Sequence, residues 1–191
     1  RVASDGDMLR VVEPYEIKLN QSLDLTKTFS FVGTPDGSKI FRNDTSGGDS
    51  QIGNLVTLSM RVRSRVEADF ALTNSLGVRA DFEYGALTIE QMFNVFPFEN
   101  NITTMFLSGG EVRETLDFVA RKSAERGCRT QAQVSGIAFD MVCRRASGCA
   151  SHPPRPCVQD GDCGDPEFLQ CFGGECRRRA PCADNIRLGD R

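Results

Sequence analysis

The chain has one histidine, His152, so no histidine-rich metal centre can be assembled from its 191 residues. Neither sign of charge dominates, with 23 basic and 26 acidic residues. The net charge of -3 gives no basic field to draw nucleic acid or an anionic membrane surface. No apolar run approaches the roughly 20 residues that a spanning helix needs. The chain opens on Arg1 and a polar stretch instead of an initiator Met and an apolar export segment, which is expected of an internal cut in a longer polypeptide. A Cys-His nucleophile pair is disfavoured, because every cysteine is better explained as half of a disulfide. His152 itself lies in a proline-rich stretch and reads as an exposed loop residue.

What is present is cysteine, eight residues in all: Cys128, Cys143, Cys149, Cys157, Cys163, Cys171, Cys176 and Cys182. Seven of the eight crowd into 143–182, among dense Pro and Gly and few large aliphatics. That density points to disulfides formed in an oxidising compartment, hence a secreted, periplasmic or cell-surface location. A zinc knuckle is the rival reading. Its usual two-residue separation is missing, since the central four cysteines stand five, seven and four residues apart. Eight cysteines allow about 105 pairings, and the connectivity stays open.

The pattern along the chain alternates helix and strand signals. Residues 8–25 suit a helix or an extended linker, and TFSFV at 28–32 favours a strand; a loop follows at 45–49. Leu55, Leu58, Val62 and Val66 recur at helical spacing, and Ala68 to Thr73 reads as a strand. Thr88 with Gln91, and Ser108 with Glu111, form capping-box patterns that open two further helices, the first stopped by Pro97. NITTMFL at 101–107 is strand-like by β-branched content, and Val134 to Val142 is a strand interrupted by Gly136. The expected fold is α+β, a mixed β-sheet with packed helices and a small disulfide-rich insert. The expected organisation is a linker or connecting helix at 1–25, the main domain at 26–142, the cysteine-rich insert at 143–182 and resumption of the domain at 183–191. The insert has too little apolar material for its own core and should lean on its bridges.

Binding chemistry concentrates in a glycine-bearing turn after a strand, with Asn74 and Arg79, and in VFPFENN, with Phe98 and Asn100. Arginine offers phosphate a planar fork of donors, and an aromatic ring offers a nucleobase a stacking face. The bland reading sets a solvated Arg and a core Phe beside it. The arginines at 144–145 and 177–179 are expected on solvated faces of the insert. Asn20, Asn43 and Asn101 each head a glycosylation sequon.

Five motifs, GNLVTLSMR at 53–61, NSLGVRADFEYGALT at 74–88, VFPFENN at 95–101, FLSGGEVRETLD at 106–117 and QVSGIAFD at 133–140, resemble in order and spacing the C-terminal domain of 5′-nucleotidases and UDP-sugar hydrolases. The likeness covers roughly residues 12–143. It implies a substrate-binding domain that grips a nucleotide or nucleoside, while a metallophosphoesterase domain of the same polypeptide holds two divalent metal ions and performs hydrolysis; no cofactor is implied in this chain. Carried over, Asn74 would hydrogen-bond the base, Arg79 would contact phosphate, Phe98 would form one face of an aromatic clamp, and Asn100 and Gly136 would line the base pocket. Three departures stand out. Ser75 and Leu76 replace two of the three glycines that usually follow the asparagine, which threatens close backbone approach. The phosphate-binding arginine before the acidic residue, here Asp49, is displaced, leaving Arg42 as the nearest candidate. The second clamp aromatic belongs to a glycine-rich motif that the chain does not reach. The insert separately resembles C-x5-C-x7-C-x4-C modules of exported bacterial proteins. A non-catalytic surface module with a degenerate pocket is the alternative functional reading.

Overall fold

The computed structural model describes residues 5–43, 48–63, 65–143, 148–150, 154–165 and 167–189. His152, Arg144, Arg145, most of the 45–49 loop and the remainder of the Asn43 sequon lie outside them. The chain divides into two compact units, one of Arg1–Ile40 and Arg79–Phe98, the other of Phe41–Val78 and Glu99–Arg191.

The first unit begins with helix α1 (Gly6–Ser22), where Asp5 caps the N-terminus by accepting from the amides of Asp7 and Met8. Strand β1 (Thr28–Val32) pairs antiparallel with β3 (Gly85–Thr88), with Val32 opposite Gly85. Helix α3 (Ile89–Val95) follows at once, and Thr88 accepts from the Gln91 amide as the capping pattern anticipates. Val32, Phe82 and Val95 are buried, and Phe82 meets Phe96 edge to face at 6.0 Å.

In the second unit, helix α2 (Gln51–Arg61) starts four residues before Leu55, the first residue of the apolar spacing, because Ser50 supplies the cap by accepting from the Gly53 amide. It ends at Arg61, short of Val66. Strand β2 (Ala71–Asn74) pairs antiparallel with β4 (Ala132–Ser135). Helix α4 (Gly109–Ala124) opens with a full capping box: Ser108 Oγ accepts from the Glu111 amide, and the Glu111 carboxylate accepts from the Ser108 amide at 2.7 Å. After Gly136, β5 (Ile137–Val142) pairs antiparallel with the last strand, β9 (Cys182–Leu188). Leu116, Ile137 and Ala183 form the buried core, flanked by Phe70, Leu72, Val112, Val134, Phe139 and Ile186.

One expected strand is absent. Residues 101–107 are irregular and exposed, with Phe106 standing fully in solvent. β-Branched content favours extended backbone, but a strand exists only where a neighbour takes its amides and carbonyls, and no described segment pairs with this one.

The insert is a three-stranded antiparallel sheet, in spatial order β6 (Cys149–Ala150), β8 (Glu175–Arg178) and β7 (Leu169–Phe172). All eight cysteines pair: Cys128 with Cys143, Cys149 with Cys182, Cys157 with Cys171, and Cys163 with Cys176. The last two close loops of 14 and 13 residues. Each such closure removes on the order of 3 kcal/mol of unfolded-chain entropy in the chain-entropy account. Cys149–Cys182 ties the insert to β9.

Arg178 corrects the expectation of a solvated arginine cluster. Its side chain is only 13% exposed and pairs with the Asp117 carboxylate of α4. The same guanidinium donates to the Ala183 carbonyl at 2.8 Å, and Asp117 Oδ1 also accepts from the Ala183 amide at 2.8 Å. Arg179 is likewise engaged, with Asp160 and with the Leu169 carbonyl. Their position at the end of β8 turns these arginines back toward acceptors that the insert and α4 provide.

Removing Asp117 leaves a largely buried guanidinium and a strand amide without their acceptor. Asp117→Ala should lower stability by about 3 kcal/mol, read from urea unfolding with the disulfides intact. Two exposed carboxylates give a pH signature. The Ser108 amide and hydroxyl hold the Glu111 carboxyl below its ordinary range, and the amides of Val158 and Gln159 do the same for Asp162. Lowered folded values mean that their contribution is complete above the ordinary carboxylate range and is lost as pH falls through the folded values. The urea midpoint should therefore fall on acidification below about pH 4, and less steeply in Glu111→Gln.

Candidate nucleotide site

The first unit carries Arg79 and Phe98. The Arg79 amide donates to the Val95 carbonyl at 2.8 Å, which fastens the segment to the end of α3. Its guanidinium carbon then lies 6.0 Å from the centre of the Phe98 ring, at the outer limit of a cation–π contact. Phe98 follows Pro97, which ends the run of α3, and its ring is half exposed. A cation and an accessible aromatic face are thus adjacent, the pairing that a phosphate-bearing aromatic ligand requires.

The second unit carries Asn74, Asn100, Gly136 and Arg42. Asn74 is exposed at the end of β2, opposite Ala132 of β4. The chain then turns through a short 3₁₀ segment, Ser75–Gly77. The Ser75 amide donates to the Gln131 carbonyl at 2.9 Å, and Ser75 Oγ accepts from Gln133 Nε2 at 2.9 Å. Ser75 therefore points its hydroxyl into the unit and does not crowd the outer side of the turn. Leu76 remains 39% exposed. A Cβ on Gly77 would come 2.5 Å from Asn74 Oδ1, so a larger residue there would turn that exposed side chain aside.

Gly136 is buried between β4 and β5 with φ of 79°, and a Cβ would come 2.3 Å from the Asp69 carbonyl oxygen and 2.9 Å from Arg61 Nη1. Backbone conformation and close packing are sufficient reason for a glycine here. Asn100 stands exposed in the irregular run that precedes α4. Arg42 is half-buried next to Phe41, whose amide donates to Gln51 Oε1 at 2.9 Å and whose carbonyl accepts from the Ile52 amide. Asp49 accepts from the Asn54 side chain at 3.1 Å. Residues 41–42 and 49 thus lie at the opening turn of α2.

The residue that sequence reasoning passed over is Gln133. It is 3% exposed, its Oε1 accepts from the Ser50 amide at 2.7 Å, and its Nε2 reaches Ser75. In the string QVSG a glutamine reads as the polar half of a strand alternation, so only its place directly across from Thr73 in the β2–β4 pair marks it as inward.

Among the described residues, no donor set for a dinuclear metal centre stands together. Among the described residues, the sulfurs of Cys157, Cys163 and Cys176 lie within 4.8 Å of one another, but each is bound in a disulfide and has no thiolate to offer. No helix of the described residues is long and apolar enough to cross a membrane.

Residues 29–149 match the family described as 5′-nucleotidase, C-terminal domain. That match spans more than half of the chain, and the chain belongs to this family. It is 31% identical over 141 residues to the 5′-nucleotidase of Vibrio vulnificus, covering 74% of this chain and 24% of that protein. It is 31% identical over 139 residues to Protein UshA of Yersinia enterocolitica, covering 72% of this chain and 24% of that protein. Among solved structures, the 5′-nucleotidase precursor of Thermus thermophilus superposes with a TM-score of 0.56 at 22% identity, over 70% of this chain and 26% of that one, and shares its fold. The chain thus spans about a quarter of the length of the curated relatives it matches.

Gly136→Ala should destabilise the protein by about 2 kcal/mol or more through the positive φ and the clash with the Asp69 carbonyl, measured by thermal or urea unfolding. Wild-type stability in this variant would contradict the packing described.

Proposed function

We propose that this chain is the nucleotide-recognising part of a secreted or periplasmic, metal-dependent nucleotide phosphohydrolase, with hydrolysis performed by a metallophosphoesterase domain of the same polypeptide that carries two divalent ions. The observation that carries the reading is the adjacency of Arg79 and the half-exposed Phe98 within a domain of the 5′-nucleotidase family. Arg79 would hold phosphate, Phe98 would stack on the base, and Asn74 would hydrogen-bond it. Asn100 and Gly136 would line the base pocket, and Arg42 would stand in for the displaced second arginine. Full oxidation of the cysteines supports an extracytoplasmic setting.

Activation of water by a bound metal is a standard route to phosphoester hydrolysis, and among the described residues the cysteine cluster that could hold a metal is locked in disulfides. The chain alone should therefore release no phosphate from AMP with added manganese or zinc. A non-catalytic surface module is the second reading, favoured by the exposed Leu76 where the family's turn has glycine.

Calorimetric titration separates the two readings. The wild-type chain should bind adenosine and bind AMP more tightly. Phe98→Ala should weaken both ligands by about tenfold through lost stacking. Arg79→Ala should weaken AMP by a similar factor and leave adenosine nearly unchanged. Equal affinities in all three proteins would remove the assigned roles and leave the surface-module reading.

A further inference from the structure

We propose that Gln133 is a positioning residue for nucleoside recognition: its buried amide locks the Asn74–Gly77 turn to the N-terminus of α2 and so sets where the Asn74 side chain is presented. The inference rests on the nucleotide-binding reading and adds a residue to it that touches no ligand.

A buried amide is costly unless both of its ends are satisfied. Gln133 satisfies its two ends with two different pieces of chain. Its carbonyl oxygen takes the Ser50 amide, one of the donors at the start of α2. Its amide nitrogen donates to Ser75 Oγ, in the first residue of the turn. Gly53 makes this possible, since a Cβ on that residue would lie 2.1 Å from Gln133 Oε1 and 2.4 Å from Cδ and Cγ. The first turn of α2 therefore presses directly on the amide.

The turn is consequently fastened twice, by the Ser75 amide on the Gln131 carbonyl and by the Ser75 hydroxyl on Gln133. Asn74 immediately precedes the fastened residue and pairs with Ala132 in the strand. Its Oδ1 rests over Gly77 at the other end of the turn, so the direction of its amide depends on the turn keeping this shape. Serine at 75 thus has a specific use. A glycine there would have no hydroxyl to accept from Gln133, and the second fastening would be lost.

The test is an adenosine titration of the 191-residue chain, read by calorimetry in every variant and by NMR at the Asn74 side-chain amide wherever Asn74 is kept, alongside urea unfolding. Ser75→Ala removes one acceptor and should weaken adenosine severalfold. Gln133→Leu removes both bonds and should weaken it about tenfold, the scale of one or two lost hydrogen bonds. Gln133→Glu keeps an acceptor for Ser50 and can accept from the Ser75 hydroxyl, and should recover most of the affinity. In an Asn74→Ala background, Gln133→Leu should cause no further loss, because its effect passes through Asn74. Adenosine binding by wild type together with unchanged binding in folded Ser75→Ala and Gln133→Leu would overturn the inference alone. An undiminished Gln133→Leu effect in the Asn74→Ala background would do the same. If Gln133→Leu does not fold, Ser75→Ala and its pair with Asn74→Ala decide the matter. A folded wild type that shows no adenosine response would overturn the nucleotide reading, and this inference with it.

Discussion

The second unit is organised around one buried carboxylate. Asp117 stands on the inner face of α4, where Leu116 and Val119 are also buried, and it has to be satisfied there. It accepts from the Arg178 guanidinium and from the Ala183 amide, so one side chain joins the helix, the cysteine-rich insert and the closing strand. Burying an ion pair costs desolvation on both sides, and the geometry repays it only when the remaining donors are also engaged. Arg178 meets that condition by donating to the Ala183 carbonyl as well. The insert is thus held by a polar anchor and by the Cys149–Cys182 bridge, which substitute for the apolar contacts its sequence lacks.

The same economy governs the Asn74–Gly77 turn. Where the family pattern has glycines, this chain has Ser75, whose hydroxyl is drawn inward by a buried amide. A substitution that in sequence looks like an obstruction is, in the fold, a fastening. Leu76 is different: its side chain faces outward, and it alters whatever surface the turn presents.

Local chemistry was the most legible part of this sequence. The Thr88–Gln91 and Ser108–Glu111 patterns mark their helices because a cap is made by residues three apart. The cysteine density foretells disulfides, although the pairing of Cys157 with Cys171 and Cys163 with Cys176 depends on how β7 and β8 fold against each other. Features that depend on distant partners were not legible. Residues 101–107 have strand composition but no described neighbour, Arg178 looks like one of three surface arginines, and Gln133 like an exposed strand residue. Each is decided by contacts 50 or more residues away, or by their lack: Arg178 with Asp117 across 61 positions and Gln133 with Ser75 across 58. Of the candidate site, Arg79 and Phe98 are visible as motif residues in the sequence, whereas their adjacency depends on the Arg79 amide reaching the Val95 carbonyl. The glycine at 136 has a packing cause that sequence alone does not reveal.

The central proposal is that this domain recognises nucleotide through Arg79 and Phe98. It is tested most directly by photolabelling with 8-azido-AMP and mapping the labelled peptides by mass spectrometry. Label confined to peptides containing residues 74–79 or Phe98, and suppressed by excess AMP, is the predicted result. Label in the cysteine-rich insert, or label that AMP does not displace, would contradict it.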